Sequence, residues 1–337
     1  MHNMMKRWGL FSMVFVLTMV LLAGCGSKET PADQPVPDET PDTEATEQTD
    51  AEEAEETQAF PVTFTDDAGR EVTIEKEPET LISIQTSNTE ILYALGVGDR
   101  LIGVSDYCNY PPEALEVQKV GGQDMDAELV MTLLPDVAFV TKYHFDNHAE
   151  TLKQFEEAGI TVVVTGSATS FDDAYATMEM IATATGTTEK ADEIIQDMKD
   201  RRAALEEKAK EITDKKKVWV EVAPAPDIFT TGKNTFMHEM LETINATNAA
   251  EDQDGWVKLT EEEIVQLNPD VIITTYGYYV DNPAEGVLAR DGWAEVNAIK
   301  NKQVFDVDSD TVTRPGPRLI EGVEQLAKLI YPEVFGE

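Results

Sequence analysis

His144 and His148 stand four residues apart, the spacing that sets two imidazoles on one face of a helix. A metal site wants a third good ligand within reach, and the next histidine, His238, is far along the chain. Two exposed loop histidines are therefore expected, with axial ligation of haem iron or cobalt as their functional alternative. Gly96-Val97-Gly98 has the glycines of a dinucleotide loop, but it follows a helical pattern rather than a strand, so no helix N-terminus would meet a phosphate. A helix stop and a turn are expected there. Neither a Gly-x-Ser-x-Gly nor a Walker pattern occurs, and "EVAPAPDIF" holds no nucleophile–base pair. The expectation is no enzyme, no catalytic residue, no resident metal and no cofactor.

Aromatic residues carry a different signal. They gather just after short apolar runs that read as strands, although the chain is only 7% aromatic. Asp106-Tyr107-Cys108-Asn109-Tyr110 follows "RLIGVS", and Lys142-Tyr143-His144-Phe145 follows "DVAFVT". Phe229 follows "KVWVEV" at a short distance, and Tyr276, Tyr278 and Tyr279 follow "DVIITT". Asp308, Asp310 and Arg314 follow "QVFDV", and Trp256 stands alone before the second of two repeated motifs. Ligands of open parallel sheets bind beyond the carboxyl ends of the strands. Rings and one arginine there suit a large flat ligand with an anionic or amide-rich edge. The plain alternative is that single rings plug loop ends, and that Arg314 forms a surface ion pair with Asp308 or Asp310.

The elements that must position these residues follow from periodicity. "PVTFTDDAGREVTI" alternates as a hairpin around Asp67-Ala68-Gly69. "SNTEILYALG" reads as a helix with Ser87 or Asn88 at its start and Gly96 at its stop. The runs "LISI", "RLIGV", "DVAFV", "ITVVV", "KVWVEV", "DVIITT" and "QVFDV" alternate with helical patterns, which predicts βαβ units and parallel sheets. Thr188 to Ile212 has no Gly or Pro, and Ala191, Ile194, Ile195, Met198, Arg202 and Leu205 recur at helical spacing. A helix of that length would run about 37 Å.

One motif is written twice. "DAELVMTLLPDVAFVT" begins at Asp126 and "TEEEIVQLNPDVIITT" at Thr260, an offset of 134 that superposes Glu128 on Glu262 and Pro135-Asp136-Val137 on Pro269-Asp270-Val271. The long helix lies between the copies, so the chain divides into two alike lobes. The fold class is α/β, with two Rossmann-like lobes whose central parallel sheets are joined by one long rigid helix. The expected boundaries are an N-terminal lobe over 60–187, a bridging helix over 188–212 and a C-terminal lobe over 213–337. Helix stop and buried strand explain the Pro-Asp and the apolar residues of the motif; they do not require Glu128 or Glu262. As first-turn helix acids, both would favour the macrodipole by a few tenths of a kcal/mol, roughly.

The N-terminus reads as an export signal over residues 1–24: Lys6 and Arg7, then an apolar run from Leu10 to Leu22 that is too short for a permanent span. Residues 26–59 hold 12 acids and one lysine, Lys28, and predict a disordered acidic tether. The net charge of -39 argues against a nucleic-acid partner. Cys108 is left as a small half-buried residue.

Leu22-Ala23-Gly24-Cys25 resembles a bacterial lipobox, which implies cleavage before Cys25 and a lipid on its sulfur. From residue 60 to 335 the chain resembles the lipid-anchored solute-binding proteins of bacterial ABC importers for vitamin B12 and iron-siderophore complexes. "SNTEILYALG", "GVSDYCNYPPEA", "DGWVKLT", "LNPDVIITT" and "TRPGPRLIEG" carry the resemblance. It implies a rigid two-lobed fold with little hinge closure and a location on the outer face of the cell membrane. The implied partners are the permease dimer and ATPase of an importer, and the implied state is a monomer. By the same resemblance Tyr107, Phe229, Trp256, Asp310 and Arg314 would hold a corrinoid, best cobalamin. The places of two first-lobe tryptophans of a cobalamin binder hold Gly122 and Thr141 instead. Tyr143 and Tyr276 would join the ligand site, and the tyrosines after "DVIITT" would equally serve a ferric siderophore or haem. Arg314 would then meet a carboxylate or propionate. Glu128 and Glu262 would dock on arginines of the two permease subunits. A surface enzyme and a purely structural surface protein are the readings from other classes.

Overall fold

The computed structural model describes residues 59–336. The expected export signal, the Cys25 lipidation site and the tether up to residue 58 lie outside the described residues. Strands β1 (Val62–Thr65) and β2 (Glu71–Ile74) form the expected antiparallel hairpin. The first lobe continues with β3 (Leu81–Ser83), α1 (Thr86–Ala94), β4 (Leu101–Val104), α2 (Ala127–Leu133) and β5 (Val137–Thr141). It ends with α3 (Lys142–Asn147), α4 (Ala149–Glu157), β6 (Thr161–Thr165) and α5 (Phe171–Thr185). The bridging α6 (Thr188–Ala209) is 22 residues long, so it runs about 33 Å.

The second lobe holds β7 (Lys217–Glu221), β8 (Phe229–Thr231), α7 (Phe236–Thr243), β9 (Thr247–Asn248) and β10 (Trp256–Lys258). It continues with α8 (Glu261–Leu267), β11 (Val271–Thr274), α9 (Pro283–Leu288), α10 (Asn297–Lys300) and β12 (Val304–Asp306). Helices α11 (Ser309–Thr313), α12 (Leu319–Ile330) and α13 (Pro332–Phe335) close the chain.

Each lobe has a four-stranded parallel sheet. Their orders are β4-β3-β5-β6 and β9-β7-β11-β12, which are the same order when strands are counted within each lobe. The repeated motif occupies equivalent places in both. Helices α2 and α8 have seven residues each, with bounds 134 apart. Asp126 and Thr260 cap them, accepting hydrogen bonds from the amides of Leu129 and Glu263. Both helices end on a left-handed residue before the proline, Leu134 at φ 46° and Asn268 at φ 48°.

The Asp of the motif has a structural task that periodicity does not reveal. Asp136 accepts hydrogen bonds from the amides of Glu79 and Thr80 and from the Thr80 hydroxyl, all at 3.0 Å. Asp270 accepts from the Lys217 amide and the Asn297 side chain, also at 3.0 Å. Each Asp therefore pins the chain entering the neighbouring central strand, β3 or β7. Burial opposes ionisation of Asp136, but those amides, the Thr80 hydroxyl and Lys76 prevail and hold its pKa below the ordinary value.

One local expectation needs correction. Helix α1 starts at Thr86 with Gln85 as its uncapped N-terminal residue, so Ser87 and Asn88 lie inside the first turn. Both are buried, and Asn88 is committed elsewhere, donating to the Thr165 hydroxyl at 2.8 Å. Gly96 does stop the helical run, at φ 82°, where a glycine relieves the cost of a side chain.

The lobes are joined by more than α6. One contiguous apolar cluster runs from Leu81, Ile91 and Phe139 in the first lobe through Met178, Ile195 and Met198 to Met240, Ile273 and Leu326 in the second. Separate clusters fill the outer face of each sheet, around Phe155 in one lobe and Trp219 and Trp293 in the other. The described residues accordingly lie in one compact unit. A shared apolar core resists hinge bending, because opening it would expose apolar surface at about 25 cal/mol per Å2.

Candidate functional site

The two central strands of the first sheet, β3 and β5, diverge in their connections at a topological switch point. Their carboxyl ends open into a cleft of about 1340 Å3. From the first lobe come Gln85 after β3, Asp106, Tyr107 and Asn109 after β4, Lys142, Tyr143 and His144 after β5, and Ser167 after β6. From the second come Tyr278 after β11 and Asp308, Asp310 and Arg314 after β12. The loops singled out in the sequence therefore line this cleft.

Tyr107 and Tyr278 project into solvent at 72% and 77% exposure, and Tyr143 is part exposed. Gly122 takes its place under the Tyr107 ring, since a Cβ there would stand 3.0 Å from Tyr107 Cε2. The Gly122 carbonyl accepts from His144 Nε2 at 2.9 Å. His144 is not an exposed loop histidine. It is buried in the first turn of α3, and its Nδ1 accepts from the Thr141 amide at 3.2 Å. An amide can only donate, so the proton sits on Nε2 and both ring nitrogens are used. Burial pushes its pKa below the ordinary histidine value, despite the Gly122 carbonyl. Axial ligation by His144 is thereby removed, and among the described residues no group of three metal-ligating side chains occurs.

Phe229 and Trp256 lie elsewhere. Both are exposed on the antiparallel pair of β8 and β10, Trp256 at 53%, and they do not line the cleft. Tyr276 requires correction as a ligand residue. It is 2% exposed, and its hydroxyl donates to Glu221 Oε1 at 2.7 Å. Glu221, fully buried at the end of β7, also holds Arg290 at 2.8 Å and accepts from Trp219 Nε1 at 3.3 Å. Arg290 stacks 4.5 Å from the Trp293 ring. This network fills the switch point of the second sheet, so the ring of Tyr276 serves packing. Burial, and then the Glu221 charge, pushes the Tyr276 pKa upward, keeping its proton in place.

Arg314 does form the ion pair with Asp310 that the plain alternative expected, but it is largely buried and is not a free ligand anchor. It donates to Glu90 Oε1 at 2.9 Å and to Asn109 Oδ1 at 2.7 Å, and it pairs with Asp310 at 2.8 Å. Glu90, on α1 in the other lobe, has a side chain only 2% exposed. Its second partner is Arg318, bidentate at 2.8 Å on both bonds. The Arg318 guanidinium lies 3.8 Å from the ring centroid of Tyr110. Asn109 completes the set by donating to Asp310 at 3.1 Å. The result is a polar clasp between the lobes at one edge of the cleft. Sequence reading missed Glu90 and Arg318. Glu90 sits in a helix with no local partner, and its partners lie 224 and 228 residues away. Cys108, expected half-buried, is fully buried beside the hydroxyls of Thr89 and Ser105.

Helices α2 and α8 carry the repeated glutamates on the surface. Among the described residues no hydrogen bond or ion pair reaches the carboxylate of Glu128 or Glu262, and both are exposed. Their neighbours in α8 are committed: Glu261 accepts from Trp293 Nε1 at 3.1 Å, and Glu263 closes a capping box with Thr260.

Two sheets of this order, one bridging helix and a cleft between lobes define a solute-binding protein. The periplasmic binding protein family profile matches residues 81–311, and the chain belongs to that family of binding proteins rather than to the enzymes. It is 46% identical to the uncharacterized ABC transporter substrate-binding lipoprotein YvrC of Bacillus subtilis, over 99% of this chain and 100% of that one. A possible iron-binding (periplasmic solute-binding) protein of Staphylococcus epidermidis superposes with a TM-score of 0.68 at 33% identity, covering 76% of this chain and 100% of that one. The periplasmic vitamin B12 binding protein BtuF of Vibrio cholerae superposes with a TM-score of 0.63 at 25% identity, covering 76% and 97%. No helix of the described residues is long and apolar enough to cross a membrane.

Proposed function

We propose that this chain is the extracytoplasmic substrate-binding lipoprotein of an ABC importer, tethered to the membrane through Cys25. It captures a bulky metal chelate, cobalamin or a related corrinoid, and delivers it to the permease. The observation that carries the ligand reading is the cleft of about 1340 Å3 rimmed by exposed tyrosines. Drug-sized ligands fill roughly 300–1,000 Å3, so this cleft suits something larger and flat-faced. Tyr107, Tyr143 and Tyr278 offer ring faces, and Asn109 and Asp310 offer polar atoms for amide edges. Phe229 and Trp256, exposed on the β8 and β10 strand pair, would meet the exposed face of a ligand that overfills the cleft. A ferric siderophore is the second reading. It is favoured by the 33% identity to a possible iron-binding protein, against 25% to the vitamin B12 binder.

Glu128 and Glu262 are the proposed permease contacts, one on each lobe. Their support is exposure, lack of partners and equivalent placement, whereas Glu261 and Glu263 are already bonded.

Calorimetric titration of the detergent-solubilised full chain with cyanocobalamin tests the ligand. Saturable one-to-one binding, with a change in tryptophan emission that is lost in Trp256→Phe, is the expected result. Silence with cobalamin and binding of a ferric hydroxamate would move the ligand to the second reading and leave the transport role standing.

A further inference from the structure

If the cleft holds a metal chelate, as the functional reading above has it, the charges that line it bear on which chelates it admits. Four carboxylates line the cleft: Asp106, Asp124, Asp308 and Asp310. Among the described residues only two cations do, Lys142 and Arg314, and both are already neutralised. Lys142 turns along its own helix to Asp146 at 2.8 Å and lies 5.3 Å from the Phe145 ring. Arg314 is held by Glu90, Asp310 and Asn109. The remaining arginine nearby, Arg318, is bound to the same Glu90.

The acids are less committed. Among the described residues nothing pairs with the Asp124 carboxylate, and Asp106 accepts one long bond, from the Gly121 amide at 3.3 Å. Asp308 caps α11 through the Asp310 amide at 3.0 Å and reaches Arg318 only at 3.9 Å. Uncapped helix ends are the remaining source of positive potential. The N-terminus of α1, at Gln85 and Thr86, is one, and it supplies about half a charge. That does not offset a surplus of two carboxylates. The exposed tyrosine faces add to the same sign, because a ring quadrupole attracts cations.

We infer that the cleft selects by charge: it accepts uncharged or cationic chelates and rejects polyanionic ones. A propionate or a catecholate would enter with no free cation to meet it, at the desolvation cost of an unpaired charge. This departs from the anionic edge that an arginine at the strand ends suggested in the sequence. That arginine faces a buried carboxylate of its own chain.

The test compares four probes on the full chain in detergent: cyanocobalamin, uncharged; ferrioxamine B, a cationic ferric hydroxamate; ferric enterobactin, a trianionic catecholate; and haemin, with two propionates. The best uncharged or cationic probe should bind at least about tenfold more tightly than either anionic one. The double substitution Asp106→Asn with Asp124→Asn should narrow that gap, and so should added salt. An anionic probe that binds as tightly as the others overturns the inference while leaving the transport role intact. So does a gap that neither substitution nor salt changes. Failure of all four probes to bind defeats the functional reading, and the inference with it.

Discussion

Glu90 and His144 illustrate how single residues are set by groups that lie far along the chain. Glu90 is a buried acid made tolerable by two arginines from the opposite lobe. Removing one partner of such a set leaves charge uncompensated, which costs more than the pair contributes. Glu90→Gln should therefore lower unfolding stability by about 3 kcal/mol, read from urea midpoints. Arg314→Ala should be milder, because Arg318 still holds Glu90 through two bonds. His144 makes a pH prediction. Its folded pKa is depressed by burial, so the unfolded chain binds a proton that the folded chain refuses. Its contribution to stability is complete above the ordinary value of 6.5 and is lost as pH falls toward the lower folded value. Melting temperatures from pH 8 down to 5, as rough bounds, should fall more steeply for the native chain than for His144→Gln. Parallel slopes would show that the imidazole titrates freely.

At the scale of elements, the repeated helix and strand do the same work twice with different residues. Both C-terminal caps are left-handed, but one is Leu134 and the other Asn268. Asn tolerates that conformation, and its side chain accepts from the Asn297 amide at 2.9 Å. Leu134 is largely exposed and gains nothing there to offset the steric cost. Leu134→Gly should stabilise the protein by about 1 kcal/mol, whereas Asn268→Leu should destabilise it by at least that much. The paired aspartates should behave alike. Asp136→Ala and Asp270→Ala should each cost about 2–3 kcal/mol, since each strips charged hydrogen bonds from the entry to a central strand. Denaturant titration reads all four variants. A large loss at one site and none at the other would break the equivalence of the lobes.

Across the whole molecule, a shared core and an interlobe clasp make the cleft a rigid opening rather than a jaw. A rigid body suits docking by two fixed points. Charge reversal at both, Glu128→Lys with Glu262→Lys, should abolish ligand uptake by cells while ligand affinity in vitro stays unchanged. Normal uptake by the double variant would remove these residues from the docking surface.

Much of this architecture was legible in the sequence. The alternation of apolar runs with helical patterns located both parallel sheets, and the absence of Gly and Pro over 188–212 marked the bridge. The offset of 134 between two Pro-Asp motifs revealed the paired lobes, because backbone periodicity and proline sterics are local properties. The rule that ligands sit beyond strand carboxyl ends found Tyr107, Tyr143, Asp310 and Arg314 at the cleft. Contact between distant side chains was not legible. Tyr276 and Tyr278 are two residues apart in one loop, yet one is sealed against Glu221 and the other stands in solvent. Arg314 reads as a ligand anchor until Glu90 is found beneath it, 224 residues earlier. Composition and local pattern determined the elements and the mouth of the site. Which charges remain free inside it is decided only by tertiary folding, because Glu90 meets Arg314 and Arg318 by proximity in space across 224 and 228 residues, beyond the reach of local spacing.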